Sequence, residues 1–334
     1  MSQQGAPFRV IVGSVECGGA WRRHLRACSA VLASLVLLTG CASDGAVATQ
    51  APVARTVTGE PLTPTVLSPE ASARLDANLA AARAAFENDP NELNTIWLGR
   101  RLAYLQRYPE AIAVYSEGLQ RFPDSYRLLR HRGHRHISRR DFAAAVADFE
   151  AAYALMPKGV VEIEPDGIPN AAGIPLSSTQ FNVLYHLALA QYLRGDYEAA
   201  AATWRECLDY SPNPDLLVAT TDWLWMTLRR LGDEAGAEAL LAPITPELEV
   251  IENDSYLKRL RMYRGELDVD ALLDTDADDR ALALATQGYG VANWYLVNGD
   301  AAAAMRMWEE IEATGSWSAF GYIAAEVDRA RGGP

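Results

Sequence analysis

Leu98-Gly99, Tyr108, Ala111, Tyr115, Gly118 and Pro123 mark the first half of the stretch 98–157, and Arg132-Gly133, Phe142, Ala145, Phe149, Ala152 and Pro157 mark the second. Each residue of the second set lies 34 positions after its counterpart in the first. Self-similarity at that period predicts stacked helix hairpins, two helices to a unit. The small residues Gly99, Ala111, Gly118, Gly133, Ala145 and Ala152 let neighbouring helices approach closely. Tyr108, Tyr115, Phe142 and Phe149 then fill the space between them.

Outward from this stretch, the turn inside each hairpin serves as a ruler. Its residues are Gln106, Arg140, Gly195, Gly232, Gly265 and Gly299, at steps of 34, 55, 37, 33 and 34. Gly-Asp at three of these turns suits a helix ending in left-handed geometry, followed by a polar helix start. Repeat three carries Leu187, Ala188, Tyr197, Ala200, Trp204, Cys207 and Pro212 at the motif offsets. Cys207 thus falls on a small packing position, where a thiol is expected to be inert. Repeat four runs from about 215 to 243, a degenerate repeat five from about 253 to 273, and repeat six from about 279 to 313. Ser68-Pro69-Glu70 predicts the start of a leading helix, with Ser as N-cap and Pro at the first helical position. Residues 316–331 form a closing amphipathic helix: Trp317, Phe320, Ile323, Ala324 and Val327 are expected inward, and Glu326, Asp328, Arg329 and Arg331 toward water. A polar outer face is what a terminal repeat needs.

The period and these offsets resemble the tetratricopeptide repeat (TPR), strongly in repeats one to three, less in four and six, and poorly in five. The resemblance covers roughly residues 70–332 and implies an all-α solenoid, a right-handed superhelix of helix hairpins over 68–334. It also implies a ligand in the concave groove, on certain positions of each first helix. Carried onto this chain, those positions are Arg100 and Tyr104; Arg127, Arg130 and His134; Asn182, Tyr185 and Tyr192; Asp222, Arg229 and Arg230; and Tyr289 and Asn293. Such a surface is rich in Arg and Tyr, which suit carboxylates and amphipathic contact, so a protein or peptide partner is expected.

The repeat clock fails at 158–180, where three prolines and three glycines forbid a helix. Loops of that length are often functional. The insert follows the most basic helix of the chain, 126–140, which holds six Arg and three His and no acid. Like charges at helical spacing repel, so the insert acids Glu162, Glu164 and Asp166 are candidates to fold back onto it. With the insert as a lid, the alternative function is small-anion or small-ligand binding. A hydrolase built on the insert carboxylates is a third reading.

The N-terminus has its own signals. Arg22, Arg23, His24 and Arg26 precede an apolar run at 27–38 that is too short to span a bilayer. Leu38-Thr39-Gly40-Cys41 then resembles a bacterial lipobox, with cleavage after 40 and lipid on Cys41. That implies a signal peptide over 1–40, a flexible lipidated tether over 41–67, and attachment to the outer membrane, facing the periplasm. The full chain of 334 residues carries a net charge of −13, and −16 once Arg9, Arg22, Arg23, Arg26 and Glu16 leave with the signal. An acidic chain argues against nucleic-acid binding. His131, His134, His136 and His186 do not offer a convergent metal set, and the insert lacks the bidentate acid of a calcium loop. No P-loop, nucleophile elbow, His-Glu-x-x-His, Cys-x-x-Cys or Rossmann glycine fingerprint is present, so no metal, no cofactor and no enzymatic activity is expected.

Overall fold

The computed structural model describes residues 51–164, 173–245, 247–273 and 280–332. The signal segment, Cys41 and the insert residue Asp166 lie outside the described residues. A short antiparallel hairpin, β1 (Ala54–Arg55) and β2 (Pro61–Leu62), precedes the helices. Next come α1 (Pro69–Asn88) and the hairpins α2 (Glu92–Tyr104)/α3 (Tyr108–Arg121) and α4 (Tyr126–Ser138)/α5 (Phe142–Leu155). After the insert follow α6 (Thr179–Arg194)/α7 (Tyr197–Asp209), α8 (Pro214–Arg230)/α9 (Glu234–Ala239) and α10 (Asp254–Tyr263)/α11 (Val269–Leu273). The last hairpin is α12 (Arg280–Val297)/α13 (Ala301–Ala313), and α14 (Phe320–Ala330) closes the chain. Consecutive helices pack on one another, and the first helix of each early hairpin also touches the first helix of the next. The architecture is an all-α solenoid of helix hairpins.

All six ruler residues adopt left-handed backbone: Gln106 and Arg140 at φ 56° and 66°, and the four glycines between 75° and 90°. Each turn repeats the same closing bond. The backbone N–H after the ruler residue donates to the carbonyl five residues earlier, as in Asp141 to His136, Asp233 to Leu228 and Asp300 to Tyr295, each at 2.9 Å. That bond satisfies a carbonyl otherwise orphaned at the helix end. Asp141, Asp233 and Asp300 then cap the next helix, their side chains accepting from backbone N–H groups three residues on.

The small positions of the repeat act as contact points. A Cβ built on Gly99 would lie 2.2 Å from the Tyr115 ring, and one on Gly133 would lie 3.0 Å from Phe149. Tyr115, Phe149 and Trp204 are all buried in the core, as is Cys207. Burial pushes the Cys207 thiol up to about 12, which leaves it protonated and unreactive.

Two expectations are corrected. Residues 54–62, expected in a flexible tether, form a hairpin docked on the body: Val57 N donates to Glu326 Oε1 at 2.8 Å, and Thr65 N donates to Gln106 Oε1 at 2.6 Å. An inserted strand pair with specific bonds to the helices is held in place, so no free spacer covers this span. The closing helix is also not a cap with a wet outer face. It starts at Phe320, after a turn at 316–319, and all residues from Gly321 to Asp328 are buried, Glu326 and Asp328 among them. Arg329 and Arg331 are exposed as expected.

Replacing Gly99 by Ala should destabilise the fold by about 1–3 kcal/mol through overpacking on Tyr115, despite the higher helix propensity of Ala. Urea denaturation measures this, and an unchanged or raised midpoint would remove the close approach as a constraint.

Candidate functional site

Some of the predicted positions meet on the inside of the solenoid's curve. It is not an empty groove, because α14 lies there, packed on α12 and α13, while Phe320 and Glu326 reach His134, His186 and Arg140 of earlier hairpins. The aromatic start of the segment anchors first. Trp317 meets the edge of Tyr108 with ring centroids 5.8 Å apart, and Phe320 lies 5.2 Å from His134 and 5.6 Å from His186. The two imidazoles are themselves 4.6 Å apart. His186 donates from Nδ1 to the Asn182 carbonyl at 2.6 Å. Burial, with Arg130 nearby, pushes its pKa down to about 3, and His134 is depressed as well, chiefly by burial.

The carboxylates of α14 find arginines on two sides. Glu326 pairs with Arg140 at 2.7 Å and accepts the Val57 N–H. Arg140 also donates to the Trp317 carbonyl at 2.9 Å and the Ser138 carbonyl at 2.8 Å. Asp328 pairs with Arg230 and accepts from the Tyr289 hydroxyl at 2.9 Å. Tyr289 shares a 2.7 Å hydrogen bond with Tyr192, and Arg230 Nε donates to Asn293 Oδ1 at 2.6 Å. Four predicted positions, Tyr192, Arg230, Tyr289 and Asn293, therefore converge around one carboxylate of the chain's own last helix.

The remaining positions divide into separate groups. Asp222 is fully buried and holds Arg259 of α10 bidentately at 2.9 and 2.7 Å. Tyr185 shares a hydroxyl bond of 2.8 Å with Tyr256. Asn182 donates to the Ser178 carbonyl at 3.1 Å. Arg229 donates to the Val297 carbonyl at 2.9 Å and lies 3.7 Å from Glu234. Arg100 donates to Tyr104 at 2.7 Å and covers Trp97, at the N-terminal end and away from the convergent group.

The insert neutralises part of the basic helix α4. Its strand-like arm, bridged at Ile163 and Ser178, points Glu162 at Tyr126 and Arg127 and Glu164 at Arg130. Arg127 also faces Glu92 at 3.4 Å, and Arg132 holds Asp148 at 2.6 Å. Arg135 lies over the Tyr108 ring at 5.4 Å. Arg127 and Arg130 thus meet acids of this chain. A cavity of about 370 Å³ opens between α8, α10, α12 and the start of α14. Among the described residues, no group of three or more His, Cys, Asp or Glu is placed to hold a metal, and no helix is long and apolar enough to cross a membrane.

Sequence reasoning missed Glu326, Asp328, Phe320 and Arg140 as parts of this site. One signal was present: Glu326 and Asp328 are two residues apart, so they project from opposite sides of a helix and cannot share one wet face.

Two outcomes follow. Asp222→Ala strands the Arg259 guanidinium in the core and should cost about 3–5 kcal/mol, read as a lowered urea midpoint; a loss under 1 kcal/mol would mean that solvent reaches Arg259. His186 is neutral when folded and takes up a proton when unfolded. Its stabilisation is therefore complete above about pH 6.5 and is lost as pH falls toward 3, by about 2 kcal/mol at pH 5. His186→Phe should flatten the urea midpoint between pH 7 and 5 relative to wild type, and an identical slope would contradict the assignment.

No protein-family model matches the chain, and no curated protein matches it. Among solved structures it is similar to YrrB, described as a TPR protein with an unusual peptide-binding site, at a TM-score of 0.40 and 12% identity. The match covers 72% of this chain and 96% of that one.

Proposed function

We propose that this chain is a protein-binding helical scaffold of the TPR kind, held by lipid at Cys41 on the periplasmic face of a bacterial outer membrane. It works as an adaptor or assembly factor for an envelope complex. One observation carries the binding part: the inner face engages a helix through directed Arg, Tyr and His contacts, here with α14. A surface that matches two carboxylates and an aromatic ring has the chemistry of peptide recognition. The membrane part rests on the basic segment, the apolar run and Leu38-Thr39-Gly40-Cys41.

A second reading has a specific feature behind it. The 370 Å³ cavity is lined by Trp223, Tyr256, Arg259, Thr286, Tyr289 and Phe320 among others, and its size and aromatic lining suit a small ligand. In this reading Ala319, Phe320 and Gly321, at the start of α14, form one wall of the site.

The test uses full-length chain expressed in a Gram-negative host. Wild type should fractionate with membranes, and Cys41→Ser should move to the soluble periplasmic fraction; equal distribution would overturn the anchor. Cross-linked capture from those membranes should return a protein whose recovery falls severalfold with Arg140→Ala/Arg230→Ala. A partner set unaffected by that variant would remove the inner face as the binding surface.

A further inference from the structure

The six hairpin turns are alike in backbone and differ in residue. Four carry glycine at the left-handed position, and Gln106 and Arg140 are the exceptions. A non-glycine residue there costs roughly 1 kcal/mol or more. These two are also the turns whose side chains reach the C-terminal segment. Arg140 holds Glu326 and the Trp317 carbonyl, and Gln106 reaches Ser318 Oγ at 3.5 Å while fixing Thr65. Strain is thus accepted where a polar side chain is needed to hold α14.

That hold adds directed charge beside an apolar face: Tyr322, Ile323, Ala324, Ala325 and Val327 pack in the core, and the ion pairs flank them. Buried ion pairs are commonly no more stabilising than apolar residues of similar volume, yet α14 inserts Glu326 and Asp328 on opposite sides, each onto an arginine. Directed pairs of this kind select a partner more than they add stability. The connection also permits release. Gly315, at φ 67°, joins α13 to the turn before α14 and gives that connection a pivot.

Resting on the scaffold reading above, we propose that the inside of the curve is the docking surface and that α14 is its built-in, displaceable occupant. The partner is an amphipathic helix that supplies an aromatic ring to the His134–His186 pair and two carboxylates to Arg140 and Arg230. In α14 these groups are Phe320, Glu326 and Asp328, so the carboxylates follow the ring by six and eight positions. The tethered copy competes at the high effective concentration of a short linker, and the apparent affinity of a partner is scaled by the fraction of molecules in which α14 has left.

The test uses the full chain and a fluorescein-labelled peptide of residues 316–334. Glu326→Lys/Asp328→Lys in the chain expels α14 while leaving Arg140 and Arg230 intact. The peptide should bind this variant at least about tenfold more tightly than wild type, and the same peptide carrying both lysines should not bind. Adding Arg140→Ala to the variant should abolish binding. Glu326→Gln/Asp328→Asn provides a milder opening should the lysines prevent folding. In wild type, backbone amides of 321–328 should exchange with deuterium at least about tenfold faster than those of α6. Amides in α14 exchanging no faster than α6, or a folded opened variant that ignores the peptide, would overturn the proposal. Peptide binding combined with no captured partner would instead remove the adaptor reading and keep the docking surface.

Discussion

Glu326 and Asp328 sit near the end of the chain, yet they lie inside the curve of the solenoid, each on an arginine. Those two pairs tie the last helix to earlier repeats and close the curve. A solenoid of hairpins builds neighbour on neighbour and has no intrinsic reason to bring its ends together. Here α14 packs on α12 and α13 as a further half-repeat would, while its other sides meet the turn of the second hairpin, α6 and the N-terminal β-hairpin. Residues more than 180 positions apart are thereby tied together, as in Arg140 with Glu326. A chain of local contacts becomes a closed body.

The charge pattern is consistent with this design. The molecule is acidic overall, and many of its arginines lie in α4 and near the C-terminal ends of α2, α6 and α8. Within α4 and its turn, Arg127, Arg130, Arg132 and Arg140 each meet an acid from another element: the insert, the preceding hairpin, α5 or α14. The repulsion among the four arginines of α4 and the two that follow it is thus offset from several directions. The insert contributes by laying Glu162 and Glu164 along α4, and its apolar residues Val161 and Ile163 point outward.

Polar groups on the inner face form networks that span repeats. Tyr192, Arg230, Tyr289, Asn293 and Asp328 join α6, α8, α12 and α14, and Asp222 joins α8 to α10 through Arg259. Such networks strengthen in a low-dielectric interior and are costly when partly satisfied. They set the register of repeats that differ in length, including the degenerate fifth, where the small-residue pattern is weakest. Gly290 accommodates the Arg259 stem there, since a Cβ would lie 2.2 Å from Arg259 Cδ.

The sequence by itself determined the repeat: its period, its six turns, the small positions, the buried Cys207 and the basic helix that needed acids. These are local or nearest-neighbour properties, and helix-hairpin packing writes them into residue spacing, as Gly99 against Tyr115 shows. It also proposed first-helix positions for an inner surface, and four of them, Tyr192, Arg230, Tyr289 and Asn293, come together around Asp328. Only the tertiary structure decided what they face. Whether Arg230 meets a foreign carboxylate or Asp328 depends on how far small rotations per repeat accumulate around the curve, and no residue spacing encodes that sum. The same accumulation turned Glu326 from an expected surface acid into a buried partner of Arg140, and turned part of an expected tether into a hairpin bonded to it.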